Sequence, residues 1–126
     1  MARILLVDDD DLSQSILRDL LGGFGHQVVE AADSVEGLKC FQRFEVDLVI
    51  SDLFMPQHGG LEFIRNIRAL DPDMGIIAVS GIQLDAKKVI FDQALQAGAA
   101  YALEKPFRPK VLQQAVETLL GDANSG

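Results

Sequence analysis

The stretch Val46-Asp47-Leu48-Val49-Ile50-Ser51-Asp52 decides how the rest of the chain is read. Its apolar run, Leu48 to Ile50, is followed by the turn-rich Met55-Pro56-Gln57-His58-Gly59-Gly60. This pattern predicts a strand buried on both faces. Asp52 then stands where a buried strand opens onto a loop, so its carboxylate is presented rather than packed away. Its chemistry depends on what other strands bring to the same edge.

Working outward, short apolar or β-branched runs recur at Ile4–Val7, Gln27–Glu30, Asp47–Ile50, Ile76–Val79 and Ala100–Leu103. The first, third and fourth are continuously apolar, as expected of parallel strands covered on both faces. Between them lie apolar residues at helical spacing: Leu12, Ile16, Leu20 and Phe24; Val35, Leu38 and Phe41; Leu61, Ile64, Ile67 and Leu70; Val89, Ile90 and Leu95; and Val111 to Leu120. Punctuation agrees, with Gly22-Gly23 and Gly25 after the first helix, Asp71-Pro72 after the third, Gly98 after the fourth and Pro109 opening the fifth. Five βα units predict an α/β fold, a doubly wound parallel sheet with right-handed crossovers.

The chain has 126 residues, of which 48% are hydrophobic, and a mean hydropathy of +0.18, which suits one domain with one core. Residues 1–121 are expected to form it, with the small, polar Asp122 to Gly126 as a frayed tail or the start of a linker. A net charge of −8 and a pI near 4.5 argue against direct nucleic-acid binding by this domain, which needs cations to neutralise phosphates. The single cysteine, Cys40, excludes a disulfide framework and reads as core packing in a reducing compartment. No run approaches the roughly 18 apolar residues of a spanning helix, and no signal-type N-terminus is present. A cytoplasmic domain with no membrane partner is expected.

In doubly wound sheets, function collects at the carboxyl ends of the strands. The first strand ends in Asp8-Asp9-Asp10-Asp11, the third in Asp52, the fourth in Ser80-Gly81 and the fifth in Glu104-Lys105-Pro106. The second ends in Ala31-Ala32 and offers no reactive side chain. Carboxylates from two adjacent strands, with no paired Cys or His, make a hard oxygen site suited to Mg²⁺ rather than zinc. With the Ser80 hydroxyl, the Lys105 cation and room beside Gly81, the set suits phosphoryl transfer, for which an Asp can serve as nucleophile through an acyl phosphate. Asp10 and Asp11 lie where the first helix begins and read as capping and dipole residues. His26 and His58 read as exposed loop residues without partners rather than phosphate carriers.

The motifs Ile4-Leu5-Leu6-Val7-Asp8-Asp9-Asp10, Asp47 to Pro56, Ala78-Val79-Ser80-Gly81 and Glu104-Lys105-Pro106-Phe107 resemble the receiver domain of two-component response regulators, in order and spacing, from about Arg3 to Leu120. The resemblance implies a flavodoxin-like (βα)5 sandwich with strand order 2-1-3-4-5 and a cis Lys105–Pro106 bond. It implies Asp52 as phosphoacceptor and Asp8 and Asp9 as Mg²⁺ ligands with Asp52 and the Phe54 backbone carbonyl. Ser80 becomes the switch hydroxyl and Lys105 the phosphate-binding cation. The implied partners are a sensor histidine kinase or phosphotransfer protein and a downstream output domain or protein. A phosphorylation-dependent homodimer is compatible with this. The chain would be a signalling switch rather than a turnover enzyme.

Three positions depart from the family pattern. The aromatic usual three residues before the lysine is replaced by Ala102, and Tyr101, one residue earlier, should face the other side of the sheet. Signalling is therefore expected to run through the loop after Ser80 and the fourth helix. Phe54 and Ile82 flank the expected route of hydrolytic water; both are bulky and apolar, which predicts slow self-dephosphorylation. Gly59-Gly60 replaces a frequent Asp-Gly, with a looser loop expected.

Rival readings are weaker. A haloacid-dehalogenase-like phosphatase would use Asp8 of Asp8-Asp9-Asp10 as nucleophile, but the chain is short for that fold and lacks a later acidic pair. A flavin binder would need hydroxyls and amides where the first loop is acidic. A phosphorylation-independent receiver would not need every acidic, hydroxyl and cationic position this chain retains.

Overall fold

The computed structural model describes residues 2–54, 59–81 and 87–124. Five strands, β1 Arg3–Val7, β2 Gln27–Ala31, β3 Leu48–Asp52, β4 Gly75–Ser80 and β5 Tyr101–Glu104, form one parallel sheet in the order β2-β1-β3-β4-β5. They alternate with α1 Asp11–Gly23, α2 Ser34–Arg43, α3 Gly60–Leu70, α4 Lys87–Ala97 and α5 Pro109–Asn124. The expected fold class is thus observed. β3 continues two residues past the expected Ile50, so Asp52 is the strand's own last residue. α5 continues to Asn124, past the boundary expected at 121.

Strand alternation divides the core into two layers. Ile4 and Leu6 of β1 meet Leu17 and Leu21 of α1 and Leu112 and Val116 of α5. Leu5 and Val7 face the other way, toward Phe63, Ile64 and Ile67 of α3 and Ala94 of α4. These side chains are fully or almost fully buried, each large one contributing about 1.5–3 kcal/mol relative to exposure. Cys40 packs half-buried at the margin of the second layer, where burial pushes its thiol pKa up, in keeping with a packing role.

Gly98 and Gly60 each carry a strict requirement. Gly98 ends α4 with φ +130°, and an added Cβ would lie 2.8 Å from Nε of Arg68. Gly60, expected only to loosen its loop, instead opens α3 pressed onto the end of β3. A Cβ there would meet the Asp52 carbonyl and lie 2.6 Å from Cα of Leu53. The looser reading fits Gly59, where an added Cβ meets nothing within 4 Å. His26 also differs from expectation: it is half-buried, and its Nδ1 accepts a 3.2 Å hydrogen bond from the Ala2 backbone N–H. His58 and Ile82 lie outside the described residues.

Candidate functional site

Strand register builds the site. Ile4 pairs with Leu48 and Val7 with Ser51, so one step further Asp8 stands beside Asp52. On the other side Asp52 pairs with Val79, and Ser80 pairs with Glu104, placing Lys105 just beyond the end of β5. The Lys105 N–H donates to the Ser80 carbonyl at 2.7 Å. The Lys105–Pro106 bond is cis, as expected.

Carboxylate oxygens of Asp8, Asp9 and Asp52 lie within 4.8 Å of one another. Asp8 is 1% exposed and Asp52 7%, whereas Asp9 is exposed. Nζ of Lys105 donates to Oδ2 of Asp8 at 2.9 Å and to Oδ2 of Asp52 at 3.1 Å. The remaining oxygens are held by backbone: Oδ1 of Asp8 accepts from the Asp10 N–H and Oδ1 of Asp52 from the Phe54 N–H, both at 2.9 Å. The Asp8 and Asp52 side chains are therefore oriented before any ligand arrives.

The charges are costly where they stand. Burial pushes the Asp52 carboxyl above the usual carboxylate range; the Phe54 N–H and Lys105 oppose this, and the Asp8 charge adds to it. Burial pulls the Lys105 ammonium down, but its hydrogen bond to Asp8 and the charges of Asp52 and Asp8 outweigh that, leaving its pKa raised. One cation faces three carboxylates, an excess of negative charge that favours a further cation. Three hard oxygen donors fit Mg²⁺, so the residues present suit the ion expected from the sequence.

Ser80 is buried at the end of β4. Asp10 is the N-cap of α1, its carboxylate accepting from the Ser13 N–H at 3.0 Å, and Asp11 lies in the first helical turn, so both take the capping roles expected of them. Phe54 is 40% exposed. Ala102 pairs with Ala78 and packs on the α4 side of the sheet, whereas Tyr101 packs on the α1/α5 side. The alternation expected from sequence holds.

Two contributors escaped the sequence reading. The Ala31 carbonyl accepts from the Asp8 N–H at 3.1 Å, and Nε2 of Gln14 donates to it at 3.1 Å. A backbone oxygen has no residue signature, and a Gln inside a helical run reads as a solvated side chain.

The family described as the response regulator receiver domain matches residues 4–117. The chain is 30% identical to the chemotaxis protein CheY of Thermotoga maritima, over 90% of this chain and 93% of that protein. It is 38% identical to the sensor kinase CckA of Brucella abortus, over 94% of this chain but 12% of that protein. Among solved structures, a response regulator receiver domain protein from Clostridium thermocellum superposes with a TM-score of 0.90 at 28% identity, covering 98% of both chains. The receiver domain of the sensor histidine kinase PA1611 from Pseudomonas aeruginosa superposes with a TM-score of 0.85 at 29% identity, covering 95% of this chain and 98% of that one. That structure has a magnesium ion coordinated in its active site cleft.

Proposed function

We propose, since the chain belongs to the response regulator receiver domain family, that Asp52 is its phosphoacceptor and that the phosphoryl group comes from the phosphohistidine of a sensor histidine kinase or phosphotransfer protein. The observation that carries this reading is the convergence of Asp8, Asp9 and Asp52 with Nζ of Lys105 at one sheet edge. A carboxylate oxygen of Asp52 attacks phosphorus, the P–N bond breaks and the imidazole leaves, giving an acyl phosphate. Lys105, already bonded to Asp52, moves onto a phosphoryl oxygen and balances its charge. Ser80, at the adjacent strand end, supplies a hydroxyl to the same group.

Asp8, Asp9, Asp52 and the Phe54 carbonyl are the groups that would hold Mg²⁺. The ion supplies charge neutralisation for the phosphoryl oxygens and orients donor against acceptor. The added charge then shifts a conformational equilibrium, with Ser80 and α4 carrying the change in place of the ring absent at Ala102. Residues 1–121 act as the receiver in the cytoplasm, with 122–126 as a tail or the start of a linker, and the output is carried by a further domain or another protein. The chain works as a switch whose chemistry is confined to its own phosphoryl group.

Incubation with acetyl phosphate and Mg²⁺ should add one phosphoryl group by intact-mass measurement. Asp52→Ala and EDTA should each abolish it. A phosphoryl group retained by Asp52→Ala but lost on Asp8→Asn would assign the nucleophile to Asp8 instead.

A further inference from the structure

The two peptide planes on either side of Asp9 are held by different groups. The second, joining Asp9 to Asp10, is held through its N–H by Oδ1 of Asp8 at 2.9 Å. The first, joining Asp8 to Asp9, carries the Asp8 carbonyl, and Nε2 of Gln14 reaches that oxygen at 3.4 Å while donating to the Ala31 carbonyl at 3.1 Å. Gln14 is half-buried in the first turn of α1, and its own N–H bonds the Asp10 carbonyl at 2.9 Å. Its side chain thus folds back from the helix across the carboxyl ends of β1 and β2.

The location matters because Asp9 is the exposed member of the acidic triad, and neither a hydrogen bond nor an ion pair from a described residue orients its carboxylate. Asp8 and Asp52 are aimed by Lys105 and by backbone N–H groups. Asp9 is aimed only through its backbone, and rotation of the Asp8–Asp9 plane would swing its Cβ away from the other two. Because β2 sends no reactive side chain to this edge, the Ala31 carbonyl serves as the fixed post to which Gln14 ties that plane.

We propose that Gln14 is a positioning residue for the divalent-cation site, acting through the backbone of Asp8 and Asp9 without touching the ion. The inference rests on the reading that Asp8, Asp9 and Asp52 hold Mg²⁺. Groups that orient ligands from behind in this way affect affinity about tenfold or more when removed.

The test is calorimetric titration of Mg²⁺ into the purified protein and its variants. Gln14→Met, of similar length but with no donor, should weaken binding about tenfold. Its melting temperature in EDTA should fall by only a few degrees, the cost of about one hydrogen bond, and ¹⁵N relaxation should show greater backbone motion at Asp9 and Asp10. Gln14→Asn keeps the amide on an arm one methylene shorter and should weaken binding in the same direction, which covers the case of a poorly folding Met variant. Unchanged affinity in these variants, while Asp9→Asn weakens binding, would overturn the role of Gln14 and leave the metal site standing. If Asp9→Asn also leaves binding unchanged, the metal reading itself fails and the proposal with it. A loss of thermal stability without loss of affinity would make Gln14 merely structural.

Discussion

Two cations close the two ends of the same sheet in different ways. At the carboxyl edge, Lys105 donates to two buried carboxylates that are negatively charged, crowded and partly desolvated. At the amino edge, Arg68 donates among the described residues only to backbone carbonyls, with Nη1 at 3.2 Å from Asp71 O and 2.7 Å from Pro72 O, and Nη2 at 2.6 Å from Gly98 O. The Arg68 contacts join the turn after α3 to the end of α4 and leave its charge uncompensated by an ion pair among the described residues. Neutral acceptors cannot be exchanged for a phosphoryl group, whereas a lysine between two carboxylates is ready to move when charge is added beside it. One edge is arranged for stability and the other, in the function proposed, for chemistry, the latter at some cost in stability.

Arg68→Met offers the largest test of this contrast. It leaves three carbonyls without their charged donor and should cost about 3 kcal/mol in denaturant unfolding. Mg²⁺ affinity should stay unchanged; a parallel loss of affinity would show that the two edges are coupled. Gly98→Ala should act through the same clamp, by about 1–2 kcal/mol, because of the positive φ and the contact with Arg68.

Exchanging Phe54 and Ile82 together for polar residues tests the chemical edge. Phosphoryl loss followed by mass spectrometry should accelerate about tenfold, equivalent to about 1.4 kcal/mol in barrier, with little change in stability. An unchanged lifetime would remove the shielding argument.

The smallest expected effect is opposite in sign to the first. A carboxyl whose folded pKa lies above its unfolded value binds its proton more tightly in the native state. Its contribution to folding is present at low pH and lost as pH rises through the folded pKa. Asp52 is such a group. Asp52→Asn should therefore raise the melting temperature in EDTA at neutral pH, and the gain should shrink as the solution is acidified. Added Mg²⁺ should stabilise the parent more than the variant. A variant less stable than the parent at neutral pH would mean that the Lys105 pairing outweighs the burial of Asp52.

The gathering of Asp8, Asp9, Asp52, Ser80 and Lys105 at one sheet edge was legible in the sequence because topology alone sends strand ends there. Asp10 was legible because capping is local, read within three residues of Ser13. Gly60, Gln14, Arg68 and His26 were not, since each owes its role to a backbone atom brought near by folding: the Leu53 main chain, the Ala31 and Gly98 carbonyls and the Ala2 N–H. Backbone atoms are identical in every residue, so no pattern of side chains marks which of them needs a partner.

What the sequence by itself determined was the alternation of buried strands and amphipathic helices, hence the sheet, and the set of charges delivered to its carboxyl edge. Periodicity and strand-end position are one-dimensional properties, and the hydrophobic effect acts on them directly. What only the tertiary structure decided was how those charges are held. Lys105 lies within 3.1 Å of both Asp8 and Asp52, and Gln14 reaches across to Ala31, because the register of parallel strands from β1 to β5 and the return of α1 fix distances that no local pattern encodes.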